Sequence, residues 1–191
     1  MTKALADAIL DTLSWEIPKA LRDEMASKNL LVRVCRDAAE LRRVSKITVS
    51  ADMAGFYSQT LGAMVIFSQP LAGKSLGAVH YATRHEVGHV FSHIYGIMAD
   101  QAFQQAYLAD VRRIPWGRYK TLAAYFEDRQ QVGSEVCADA FAYVLAPQGE
   151  KNDFLSLRRD VFVRSFPNVI AYMRQRVKLL ANPPAPAAPG R

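Results

Sequence analysis

The residues of this chain best suited to chemistry are two histidines four positions apart with a glutamate after the first: His85-Glu86-Val87-Gly88-His89, the pattern HExxH. On an α-helix, residues four apart differ by only about 40° in azimuth and about 6 Å in height. His85 and His89 therefore project from one face and can each put a ring nitrogen on a single metal ion. Glu86 lies at the edge of that face, within reach of a water in an open coordination position. Two imidazoles on a metal, with a carboxylate able to deprotonate such a water, form the arrangement that hydrolyses a peptide bond, and the donors suit one Zn2+ ion.

Such a site needs a third ligand. The chain has four histidines, all between His80 and His93. His93 stands about 12 Å of helix rise beyond His85, so these cannot all meet on one ion, and His80 fails likewise upstream. Tyr95 occupies the place where the extended pattern HExxHxxGxxH would put a third histidine. The missing ligand is therefore expected to be a carboxylate from another helix. Glu135 is the candidate, with Glu127, Asp128 and Asp110 as competitors. Asp139 follows Glu135 by one turn on the same face. There it could accept the second ring N–H of a ligand histidine, fixing the tautomer and raising the basicity of that ring. Cys137 points about 200° away from Glu135 around the helix and is expected in the core. The plain alternative is a chance HExxH, with structural histidines and with Glu135 as an ordinary acid favoured by the helix dipole in a first turn.

Elements must position these groups. Ser75 is a good N-cap and Gly96 a good C′ residue, so the spacing predicts one helix between them, carrying the motif. Its flanks Val79, Tyr81, Val87, Val90, Phe91 and Ile94 are largely apolar, which predicts burial. Ser134 is expected to cap a second helix that runs to Ala146 and stops at Pro147. Ahead of the motif, Leu5, Ile9, Leu10 and Leu13 recur at helical spacing, and Pro18 opens a short helix with Leu21 and Met25 inward. Leu30 to Val34 reads as a strand, Asp37 as the cap of a short helix, and Ile47-Thr48-Val49 as a second strand. Residues 54–57 and 63–67 read as a hairpin feeding a small sheet, a place to look for substrate backbone contacts. Phe103, Tyr107 and Val111 imply a helix over 98–111, and two more helices close the chain over 154–166 and 167–180.

The expected fold class is α+β, predominantly helical, with a small β-sheet before the HExxH helix. Residues 1–181 are expected to form a single domain, with an N-terminal helical and strand part (1–45) and a catalytic core (46–181). The Pro/Ala-rich segment 182–191 is expected to be disordered. Net charge is +6 with a pI near 9.4. Lys and Arg are dispersed, so nucleic acid is not an expected partner. Two cysteines, Cys35 and Cys137, do not make a disulfide framework. Lys3, Asp7, Asp11 and Glu16 interrupt the N-terminal segment, which does not read as a secretory leader. No apolar run reaches the roughly 18 residues of a membrane span. The default localisation is cytoplasmic, with leaderless export as the other route, and no stable membrane insertion is expected.

With both helices in place, the chain resembles the anthrax lethal factor-type zinc peptidases, a family that includes the Pro-Pro endopeptidases. The similarity spans residues 50 to 180. Gly55-Phe56-Tyr57 with Met64-Val65-Ile66 resembles the family's strand pair, Arg84 to Val90 its HExGH helix, Glu135 to Phe141 its ligand helix, and Val169 to Leu180 its closing helix. Leu122-Ala123-Ala124-Tyr125 resembles the segment that ends in a catalytic tyrosine. The resemblance implies a zincin-like metallopeptidase fold of gluzincin type, with zinc on His85, His89 and Glu135, Glu86 as general base, and Tyr125 as oxyanion donor. Tyr125 lies farther from Glu135 than that pattern has it, which makes Tyr119 its substitute. The implied partner is a protein or peptide substrate, and the implied setting a secreted toxin or effector. A rival similarity, Glu135-x-x-Ala138-Asp139-x-Phe141-Ala142, points to ImmA/IrrE-type regulatory peptidases that cut a repressor. A non-catalytic binding module on the same scaffold is the remaining alternative.

Overall fold

A single apolar run, Ala63-Met64-Val65-Ile66-Phe67, forms the central strand of the only sheet among the described residues, and all five residues are buried. The computed structural model describes residues 2–51, 53–115, 133–147 and 156–182. A strand covered on both faces has no polar side to present, which is why this segment is continuous in hydrophobicity rather than alternating. With β1 at Leu31–Cys35, β2 at Gly55–Ser58 and β3 at Ala63–Phe67, the strand order is β1-β3-β2. The β1 strand pairs parallel to β3, with Leu31 opposite Ala63, and β2 pairs antiparallel to it, with Gly55 opposite Ile66. Both outer strands are therefore sheet edges among the described residues.

The other elements among the described residues are helices. Around the sheet run α1 (Lys3–Asp11), α2 (Lys19–Ser27), α3 (Ala38–Ser45), a short α4 (Ser68–Leu71) and α5 (Leu76–Ile94). They are followed by α6 (Gln101–Val111), α7 (Ser134–Leu145), α8 (Ser156–Ser165) and α9 (Pro167–Ala181). The protein is thus α+β and mostly helical, with a small three-stranded sheet. On one face of β3, Met64 and Ile66 join the main core with Val79, Val87 and Phe91 of α5. On the other, Val65 and Phe67 pack with Cys35 and Leu41 in a smaller cluster under α3.

The ends of α5 follow the local chemistry of its sequence. The Ser75 hydroxyl accepts from the Ala78 N–H at 3.3 Å, satisfying a donor that the first turn leaves over. Gly96 takes a left-handed φ of 61°, which reverses the chain cheaply because glycine lacks a Cβ. Between these ends α5 is packed by β3, by α1 and, most extensively, by α7.

One core cluster runs from Leu5 to Met173, so residues 1–45 share their interior with the rest rather than standing apart. The end of α1 relaxes into a π-helical turn, Thr12–Glu16, closed by the Ile17 N–H on the Thr12 carbonyl at 3.2 Å. That widened turn sets Thr12 and Glu16 against α5. Glu16 Oε1 lies 2.9 Å from His80 Nδ1, its other oxygen pairs with the wholly buried Arg84, and the Thr12 hydroxyl meets His80 Nδ1 at 2.8 Å. Leu10, about 100° round α1 from Ile9, is exposed, so the first helix buries Leu5, Ala8 and Ile9 without it.

Three local expectations are corrected. Residues 46–50 form no strand: Lys46 takes a left-handed φ of 60° at the end of α3, and Ile47 and Val49 pack onto the smaller cluster with no ladder partner. Ser134 is the first residue of α7, not its cap; Gly133, with φ at 89°, is the capping position. Asp110 is fully buried and accepts from Asn168 Nδ2 at 2.6 Å and from the Val169 N–H at 2.9 Å, which makes it the anion at the start of α9. No described helix is long and apolar enough to cross a membrane. Tyr119, Tyr125, Glu127, Asp128 and the tail from residue 183 lie outside the described residues.

Candidate metal centre

His85 and His89 sit in the middle of α5, one turn apart, and the face they share looks at the first turn of α7. The two helices can meet there because residue 88 is glycine. A Cβ on Gly88 would stand 2.7 Å from the Ala138 Cα and 2.9 Å from its carbonyl oxygen, distances no packed side chain tolerates. The glycine lowers helix propensity by about 1 kcal/mol and in return lets backbone lie against backbone. Phe91 and Phe141 stack below, with ring centroids 5.0 Å apart.

This approach brings Glu135 onto the two imidazoles. Glu135 Oε2 is 3.3 Å from His85 Nε2 and Oε1 is 3.3 Å from His89 Nε2, while the two Nε2 atoms are 3.2 Å from each other. The three side chains together could hold a metal ion. Of the two carboxylates weighed from the sequence that lie among the described residues, Glu135 is brought to the histidines and Asp110 is not, because it accepts from the first turn of α9.

The far side of each ring is also engaged. His85 Nδ1 lies 2.7 Å from Asp139 Oδ1, the same carboxylate oxygen to which the Tyr81 hydroxyl donates. His89 Nδ1 lies 3.1 Å from the Ser134 hydroxyl. A ring that gives its Nδ1 proton to such a partner presents a bare Nε2. With both Nδ1 protons given to these partners, two bare nitrogens and a carboxylate would converge, and such a grouping calls for a cation, a metal ion or a proton. Charge effects point the same way. Burial alone would lower the His85 pKa, but the charge and hydrogen bond of Asp139, with Glu135 and Glu86, raise it well above the ordinary histidine range. Burial alone would raise the Glu135 carboxyl, but His85 and His89 hold it far below the usual carboxylate range.

Glu86 differs from Glu135. It is 5% exposed, and its Oε2 is buried without a hydrogen-bond partner. Desolvation raises its pKa, against the opposing pull of His85 and His89. Its side chain passes beside Gly55, where an added Cβ would come within 2.8 Å of Glu86 Cγ. That buried oxygen lies beside the three groups that could hold a metal ion.

A cleft of about 800 Å³ opens over these residues and is lined by His85, Glu86, His89 and Glu135, by Gly55 to Gln59 of the β2 side, and by His93 and Met98 farther along. In the antiparallel pair with β3, the Phe67 N–H bonds to the Ala54 carbonyl at 2.8 Å. Bonding pairs alternate along such a ladder, so Ala54, Phe56 and Ser58 face β3 while the peptide groups of Gly55 and Tyr57 point to the open edge.

Comparisons with protein-family models, curated proteins and solved structures found no match. The site is therefore read from its own geometry. The structure brings His85, Glu86, His89, Glu135 and Asp139 together. The sequence reading missed Tyr81 and Ser134 behind the rings, and Gly55 and Gly88 as the spaces that admit the neighbours. Tyr81 was discoverable, since it lies one turn before His85 on the same face. Gly88 was too, as a glycine inside a helix asks for a packing reason.

Proposed function

We propose that this chain is a zinc-dependent endopeptidase with a zincin-like, gluzincin-type fold, similar to the lethal factor-type family. One observation carries the reading: the Nε2 atoms of His85 and His89 stand 3.2 Å apart, each 3.3 Å from a different oxygen of Glu135, with the orphan Oε2 of Glu86 buried beside them. A tetrahedral ion with ligand bonds of about 2.0–2.1 Å separates its ligand atoms by about 3.3 Å, which is the spacing of the two nitrogens, and the Glu135 carboxylate lies beside both. Two imidazoles and one carboxylate leave a fourth position open, as catalytic rather than structural zinc sites do.

The chemistry that Zn2+ supplies in such a setting is polarisation of the scissile carbonyl and acidification of a water. The chain's own groups do the rest. Asp139 and Ser134 hold His85 and His89 in the tautomer that binds. Glu86, made more basic by burial, takes the proton of the attacking water and returns it to the leaving amine. The outward peptide groups of Gly55 and Tyr57 hold the substrate backbone as an added strand. By the resemblance alone, Tyr125, or Tyr119 in its place, donates to the oxyanion. The same resemblance suggests an exported effector acting on a protein of another cell.

The test compares peptide cleavage by the zinc-loaded protein and by Glu86→Gln. The variant is expected to keep one zinc per chain and to lose about 10²–10⁴-fold in kcat. Cleavage at an undiminished rate would overturn the mechanism.

A further inference from the structure

The cleft does not end at the metal donors. It continues along α5 to His93, which the metal centre leaves unused. His93 is exposed, its ring lies against Tyr57 with centroids 5.6 Å apart, and the Gln59 side-chain amide meets its Nδ1. The same amide nitrogen lies 3.4 Å from Nε2; in the tautomer that accepts the amide N–H at Nδ1, the ring keeps a proton on Nε2 to offer the cleft. Met98 lines the same stretch. Among the described residues that line the cleft, the carboxylates are Glu86 and Glu135, both at the metal end. The far end carries donors and apolar walls.

Direction can be read from two contacts. Gly55 adjoins Glu86 and Tyr57 adjoins His93, so β2 and α5 run the same way past the cleft. A strand added to the open edge of β2 in the stronger, antiparallel sense runs from the Gln59 end towards the Gly55 end. Its N-terminal residues then pass His93 before the chain reaches Glu86. The ligand pair is centred near residue 87, and six residues of helix rise are about 9 Å. An extended chain covers that in about two to three residues.

We propose that His93, with Gln59 and Tyr57, forms a subsite for an acidic side chain two or three residues N-terminal to the bond that is cut. This rests on the peptidase reading above and adds a substrate class to it.

The experiment has two arms, so that the two readings fail separately. In the first, fluorescent peptide pairs differing only by Glu or Gln at one position are titrated, by anisotropy, against zinc-loaded Glu86→Gln and Glu86→Gln/His93→Ala proteins. Acidic peptides are expected to bind about tenfold tighter to the first, as one charge-assisted hydrogen bond provides, and within about twofold of their partners to the second. In the second arm the wild type cuts an unbiased peptide library, and Asp and Glu are expected to be enriched two or three residues before the cut. An absence of acidic preference, a preference that survives His93→Ala, or enrichment after the cut would each overturn the subsite. His93-dependent acidic binding with no cutting by the wild type would uphold the subsite and overturn the peptidase reading instead.

Discussion

His85 and His89 differ in what stands behind them. His85 backs onto a carboxylate that also receives the Tyr81 hydroxyl, and His89 backs onto a neutral serine hydroxyl. The charged partner does more to raise ring basicity, so Asp139→Asn is expected to lower zinc affinity about 10–100-fold, with Ser134→Ala at or below the bottom of that range. Competition against a chromophoric chelator measures both, and equal losses would refute the ordering. Glu135 and Asp139 were legible in sequence because a spacing of four is a property of one helix. Ser134 was misread because its local role, a cap, competed with a tertiary one. With Gly133 able to take the left-handed turn before α7, the serine side chain is released to His89. Asp110 was an open candidate for the same reason: nothing local says that it ends up at the start of α9.

At the scale of elements, the site is a contact between α5 and α7, and Gly88 sets how close they come. Gly88→Ala has two opposed effects. It gains about 1 kcal/mol of helix propensity and forces a methyl to 2.7 Å from a backbone Cα that cannot swing aside. Overpacking of that kind costs about 1–3 kcal/mol, so the variant is expected to be less stable on balance. It should also bind zinc more weakly, because relief of the clash moves Glu135 away from the histidines. Thermal unfolding and chelator competition on the one variant check both, and a more stable protein of unchanged affinity would show that the spacing is not set there. The helix caps at Ser75 and Gly96 were readable because each acts within a few residues of itself. The segment at Ile47 was not. Its alternation is that of a strand and its burial follows the alternation, yet strand formation also needs a neighbour with free peptide groups, which no short window contains.

Across the whole molecule, the proposed zinc site would couple to folding through charge. Without an ion, Glu135, Asp139 and Glu86 around His85 favour the protonated ring. Burial opposes this, but Asp139 and its neighbours prevail and raise the folded-state pKa well above the ordinary value. A folded pKa above the unfolded one stabilises fully below the unfolded value, near pH 6.5, and that contribution is lost as pH rises through the folded value. Zinc works in the opposite sense, since it needs the ring deprotonated and binds better as pH rises. The gap in unfolding temperature between zinc-loaded and chelated protein is therefore expected to widen from about pH 6 to about pH 8. An ion at about a thousandfold excess over its Kd adds roughly 4 kcal/mol, which for a chain of this size is about 8–16 °C. Calorimetry of both forms across that range measures it. A gap that stays constant or narrows with rising pH would mean that zinc does not displace the proton of His85, and the ligand set would have to be drawn without it.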